Sequence, residues 1–169
     1  MSQLSRRGLL KTGVAAGVLG LTGMPLRAQT RGGKLTVGLS GANTSDSWDG
    51  RTHSDIFMIA AAHGTVFDAL TEVAADGSLV GELAESWEAS ADAKTSTFNL
   101  RQGVTFHNGK SFGADDVMES LNMHLGEDSK SAAKPIVENI ASMNKLGEHQ
   151  LELVLKAPNA DFPYLMSDY

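Results

Sequence analysis

The sequence contains no cysteine, which excludes disulfide staples and thiolate chemistry together. It also lacks a surplus of positive charge, with 14 Lys and Arg against 20 Asp and Glu and a formal net charge of -6. Arg6, Arg7, Lys11 and Arg27 all fall within the first 28 residues, which hold no acid. Residues 29–169 therefore carry ten basic against 20 acidic groups, a net charge of -10. That balance repels nucleic acid and anionic lipid surfaces alike. No long apolar run is present either: the stretch from Thr12 to Leu26 is broken by Gly13, Gly17, Gly20 and Gly23 and is short for a membrane span. There is no internal repeat, no low-complexity linker, and no nucleophile set beside a base at a spacing that would make an enzyme. The five histidines, His53, His63, His107, His124 and His149, lack the i, i+4 or short-gap spacing of a metal site, so neither metal nor cofactor is expected. What remains is the composition of an ordinary globular chain, 41% hydrophobic and 20% charged, with room for one modest core.

The first 28 residues have the form of an export signal. A positive region with Arg6 and Arg7 precedes the glycine-interrupted apolar stretch, and Leu26-Arg27-Ala28 offers a small residue for cleavage between Ala28 and Gln29. Ser5, the arginine pair, Leu9, Leu10 and Lys11 resemble the twin-arginine type, which is read by a receptor that accepts folded cargo. The alternative is a general secretory signal that starts with two arginines. Either route puts the processed chain outside the cytoplasm, in the periplasm, as a soluble protein.

Beyond the leader, Leu35, Val37 and Leu39 alternate as in a half-buried strand, and the polar run from Ser40 to Asp49 reads as a loop. Ser54 stands where an N-cap would start a helix running to about Leu70. Short strands follow: Leu70 to Val73 and Leu79-Val80 around Asp76-Gly77, then Leu83 to Ser90 and Thr97 to Arg101 around Asp92-Ala93-Lys94, then Val104 and Phe106. Ala114, Val117, Met118, Leu121 and Leu125 recur at helical spacing, with Asp115 and Asp116 at the positive end of the dipole. A further helix around Pro135 to Ile140 precedes strands near Met143 to Leu146 and Gln150 to Leu155. Leu100, Val104, Phe106, Val117 and Leu121 are expected in the core, with Trp87 largely buried.

Several residues could carry chemistry or structure. His107 stands beside Asn108-Gly109, a pair suited to the positive φ of a tight turn, and is read as a hairpin corner rather than a base. Asp115 and Asp116 read as a helix-start pair rather than a catalytic dyad. The best local candidates for ligand contact are Asn43, Thr44, Ser45, Asp46 and Trp48, which offer donors, acceptors and one aromatic wall, against the alternative of a solvated loop.

Four blocks in order carry a resemblance: Leu83 to Glu88, Asp92 to Lys94, Phe98 to Lys110 and Ala114 to Val117. Together they resemble the family 5 extracellular solute-binding proteins, the peptide- and nickel-type receptors of ABC importers. The resemblance implies an α/β, periplasmic-binding-protein type II-like fold, with residues 29–169 corresponding to the N-terminal part of the first of two lobes. It implies a periplasmic receptor that takes di- or oligopeptides or similar small solutes and passes them to permease subunits and their ATPase. Nickel chelates, haem or other solutes are the alternative cargo, and no chemistry is done on any of them. The sequence departs from the family at Trp48-Asp49-Gly50, where Leu-Asp-Pro is common, and it stops where members continue through a second lobe. The chain is therefore expected to be a fragment that does not by itself hold ligand as an intact receptor does.

Overall fold

The computed structural model describes residues 32–167 apart from Ser54 and Gly64. The export-signal residues Arg6, Arg7, Ala28 and Gln29 lie outside the described residues, as does the expected N-cap Ser54. The chain divides into two units, Met1–Gly38 and Leu39–Tyr169. In the first, residues 32–38 carry no regular structure. The strand expected at Leu35, Val37 and Leu39 is thus not formed. Alternation decides which side chains would share a face, but a strand also needs a neighbouring backbone to take its N–H and C=O groups. Among the described residues none does so.

The second unit begins with an irregular loop and a short 3-10 turn at Gly50–Thr52. Helix α1, Ile56–Ala62, is capped by Asp55, whose carboxylate accepts the Met58 N–H at 2.9 Å. It ends well before Leu70, because the N–H groups of Val66 and Phe67 both turn back to the Ala62 carbonyl at 3.0 Å. The β-branched pair Thr65 and Val66 also favours leaving the helix. The loop so formed closes a bridge between His63 and Phe67.

A two-stranded hairpin follows, β1 (Thr71–Val73) with β2 (Leu79–Gly81), turned at Gly77 with φ 85°. Four further strands form an antiparallel sheet: β3 (Ala84–Ala89), β4 (Thr95–Leu100), β5 (Ile140–Gly147) and β6 (Gln150–Leu155), in the order β3-β4-β6-β5. Helices α2 (Ala114–Asn122), α3 (Lys134–Val137) and α4 (Phe162–Leu165) complete the unit.

The pattern in the two central strands explains the layering. Ser96, Phe98 and Leu100 of β4 and Leu151, Leu153 and Leu155 of β6 are buried, while the residues between them are half-buried. Period-two alternation puts every second side chain on the same face. Phe98 pairs with Leu151 and Ser96 with Leu153, so the two strands build one continuous apolar surface. Ala114, Val117 and Leu121 of α2 belong to the same core, joined by Phe112, Val137 and Phe162. The opposite sheet face is a polar ladder, in which the Gln150 amide donates to Asn99 at 2.8 Å and the Asn99 amide to Ser86 at 3.0 Å.

Burial matches the sequence expectation at Leu100, Val117 and Leu121, while Val104 and Trp87 are half-buried against the core. Phe106 is different: it is 43% exposed. It belongs to a tight hairpin in which Phe106 N–H donates to the Lys110 carbonyl and Gly109 N–H returns to the Phe106 carbonyl, both at 2.8 Å. Gly109 has φ 85°, so the expected turn forms, but it lifts the Phe106 ring to the surface. There the ring meets Phe112 edge-on at 6.1 Å.

Candidate functional site

A cavity of about 570 Å³ opens beside the helical layer. Residues far apart in sequence line it: Trp48 to Gly50 with His53, His63 with Thr65 to Leu70, Val104 to His107 with Phe112, the face of α2 with Val117 and Leu121, and Met123 and His124 of the 3-10 turn Met123–Leu125 after it, with Leu83 and Met166 beside them. Its size lies within the range of small-molecule sites, and the wall mixes apolar and aromatic groups with a few polar ones. A second depression of about 470 Å³, against Glu72, Val73, Tyr164, Leu165 and Ser167, is more open and lacks convergent polar groups.

Trp48, 60% exposed, lines the cavity. The other four candidates from the loop do not. Asn43, Ser45 and Asp46 satisfy one another: the Asp46 carboxylate accepts the Asn43 N–H, and the Asn43 side-chain oxygen accepts the Ser45 N–H, each at 2.9 Å. Such an Asx turn uses the acceptors that a ligand would need. Thr44 sits exposed within it.

His53, His63, His107 and His124 all reach the cavity, although the sequence scatters them over 72 positions. The rings of His53 and His63 lie 6.3 Å apart, and Phe67 packs 6.0 Å from His53. The His107 Nε2 lies 3.3 Å from the Val66 carbonyl, and a carbonyl only accepts, so this nitrogen carries the proton. His107 thereby ties the hairpin corner to the segment after α1. The same logic puts a proton on His53 Nε2, 3.1 Å from the Ser47 carbonyl. Among the described residues no group of three or more His, Cys, Asp or Glu side chains stands close enough to hold a bare metal ion.

The carboxylates differ in their engagement. Asp49 takes both Nε and Nη2 of Arg51, at distances down to 2.6 Å, and that hydrogen-bonded pairing holds its pKa down to about 2. Asp116 accepts the Gly113 N–H at 3.1 Å and the Lys110 ammonium, while Asp115 pairs with Lys145 at 2.6 Å. These two aspartates are a helix-start pair with separate partners. Asp68, also on the wall, has no ion pair among the described residues.

His124 has a structural charge state. Its ring is buried, and Nδ1 lies 2.6 Å from the Ser131 hydroxyl, whose oxygen also accepts the Ala133 N–H at 3.2 Å. Burial pushes the His124 pKa below its ordinary value, reinforced by the Arg51 charge. A folded-state pKa below the unfolded one means that the unfolded chain binds the proton more readily. The contribution of neutral His124 is therefore complete above about pH 6.5 and is lost as pH falls through the lowered folded value. Melting temperature should drop on going from pH 7 to pH 5.5, and His124→Gln should flatten that drop. Parallel pH profiles for the two proteins would contradict this assignment.

Residues 78–169 match the family described as bacterial extracellular solute-binding proteins, family 5 middle. The nickel-binding periplasmic protein of Escherichia coli is 35% identical over 104 residues, covering 62% of this chain and 20% of that protein. The di/tripeptide-binding protein 1 of Pseudomonas aeruginosa is 38% identical over 120 residues, covering 60% and 22%. Among solved structures, NikZ from Campylobacter jejuni in complex with Ni(L-His) superposes with a TM-score of 0.58 at 31% identity, covering 60% of this chain and 21% of that one. The chain thus spans about a fifth of the length of the relatives it matches.

Proposed function

The chain belongs to the bacterial extracellular solute-binding proteins of family 5, and on that premise we propose that it serves as the solute-capturing component of an ABC importer. In this reading the protein is exported to the periplasm under the leader in residues 1–28, by the twin-arginine translocase that Arg6 and Arg7 address. There it takes up a di- or oligopeptide or a similar small solute and hands it to permease subunits whose ATPase drives uptake. The observation that carries the reading is the 570 Å³ cavity, walled by Trp48, Phe67 and Phe106 and set in a subunit of this family's fold. Aromatic walls bind by area and exclude water, while the few polar groups around them fix orientation. The loop donors Asn43, Thr44, Ser45 and Asp46 could contact ligand in this reading only when the Asx turn opens.

Calorimetric titration of the purified protein with a panel of di- and tripeptides tests this. Saturable binding is expected, far weaker than that of an intact two-lobed receptor, and weakened about tenfold further in Trp48→Ala, the scale of one aromatic contact. A panel that produces no binding heat would remove the peptide reading.

One observation favours a second cargo. Four histidines reach the same cavity without forming a complete metal shell among the described residues. That arrangement suits a metal ion arriving already chelated, its remaining positions open to one or two imidazoles. A nickel–histidine complex raising the melting temperature, while peptides leave it unchanged, would select this reading over the first.

A further inference from the structure

We propose that the cavity selects a ligand bearing a positive charge, an ammonium or guanidinium group, and turns anions away. This inference rests on the solute-binding reading above and names the class of solute.

Among the described residues no Lys or Arg lines the cavity, and the cations beside its wall, Arg51 and Lys110, are each held by a carboxylate. Three carboxylates do line it. Arg51 pairs with Asp49 and Lys110 with Asp116, which leaves Asp68 as the lining carboxylate without an ion pair among the described residues. Glu82, outside the cavity wall, has both Asp68 and Glu72 near it, and neither glutamate has an ion pair among the described residues. Burial raises the Glu82 pKa, and the charges of Asp68 and Glu72 raise it further, although the Ala69 N–H at 3.0 Å works the other way. Like charges held together without a counterion gain from any cation that reaches them.

The rest of the wall points the same way. Trp48, Phe67 and Phe106 are 60%, 40% and 43% exposed, and all three border the same space. The negative face of an aromatic ring attracts ammonium and guanidinium groups. The protein already contains one such contact, with the Lys110 ammonium 5.6 Å from the Phe106 ring centre. His53 and His107 each turn Nε2 to a backbone carbonyl, which leaves Nδ1 of each without a hydrogen-bond partner in the protein among the described residues.

Titration of the purified protein with dilysine, diglutamine and diglutamate, which are similar in length, tests the inference in native and Asp68→Asn forms. Asp68 is exposed, so the substitution leaves the core untouched, and unchanged melting of the variant checks this. Dilysine should bind about tenfold more tightly than diglutamine, the scale of one charge-assisted contact, with diglutamate weakest. Asp68→Asn should erase the dilysine advantage, so that dilysine and diglutamine bind the variant alike. Diglutamate binding as tightly as dilysine, or a dilysine affinity indifferent to Asp68→Asn, would overturn charge selection while solute capture stood. Absence of binding by all three dipeptides and by a nickel–histidine complex would overturn the solute-capture reading and the charge selection with it.

Discussion

Phe98→Ala should unfold a large share of the protein at moderate denaturant concentrations that the native chain withstands. The ring is completely buried at the centre of β4, opposite Leu151, and belongs to the core that joins the sheet to α2. Removing it forfeits the transfer free energy of the side chain and leaves a void that a close-packed interior fills only in part. Substitutions of this kind cost about 3–5 kcal/mol. A domain of this size has about 5–15 kcal/mol in total, so about a fifth or more of the stability disappears. The denaturation midpoint, followed by far-ultraviolet circular dichroism, measures the loss. Phe106→Ala is the internal control: its ring is 43% exposed, and its midpoint should move far less. Equal shifts for the two variants would mean that Phe98 does not occupy the core.

Gly81→Ala should be the most damaging of the small changes. A methyl group there would stand 2.2 Å from the Ala84 carbonyl oxygen and 3.1 Å from that of Glu85. Both obstacles are backbone, so no side chain can rotate out of the way. The chain is fixed on either side: Glu82 and Ala84 both donate to the Leu70 carbonyl, at 3.2 and 2.9 Å, and Ala84 is fully buried where β3 begins. Relief requires moving the β2–β3 corner and with it the pairing of Ala84 with Leu100. Overpacking typically costs about 1–3 kcal/mol, and a rigid backbone obstacle puts this site at the top of that range. Melting temperature should fall by several degrees, since about 1 kcal/mol moves it by roughly 2–8 °C in domains of this size range. An unchanged melting temperature would mean that the corner is looser than its hydrogen bonds indicate.

The two sites differ in how plainly the sequence announces them. Phe98 sits in the alternating run from Thr95 to Leu100, and alternation reports which face is buried before any contact is known. Gly81 carries no such mark. Its φ lies outside the positive range that favours glycine, and its need for a missing side chain arises only from the closeness of Ala84.

Taken alone, the sequence determined the features that depend on neighbours a few positions away. The hairpin at Asp76-Gly77, the turn at Asp92-Ala93-Lys94, the Asn108-Gly109 corner, α2 with its two leading aspartates, and the paired strands β5 and β6 are of this kind. Local propensity and periodicity specify each of them. The order of motifs from Leu83 to Val117 also made the family legible. Tertiary structure decided whatever depends on partners far along the chain. Alternation at Leu35, Val37 and Leu39 made no strand, because pairing is a property of two segments. The Phe106 ring turned outward, because the hairpin's place against its surroundings sets which face is covered. Above all, the cavity wall was hidden: His53, Asp68, His107 and His124 belong to separate segments, each unremarkable in its own stretch of sequence. Only the approach of the segments flanking α1, the Val104 to Phe112 hairpin and α2 in space turns those scattered side chains into a single polar and aromatic surface, since burial and charge pairing are set by distances in space.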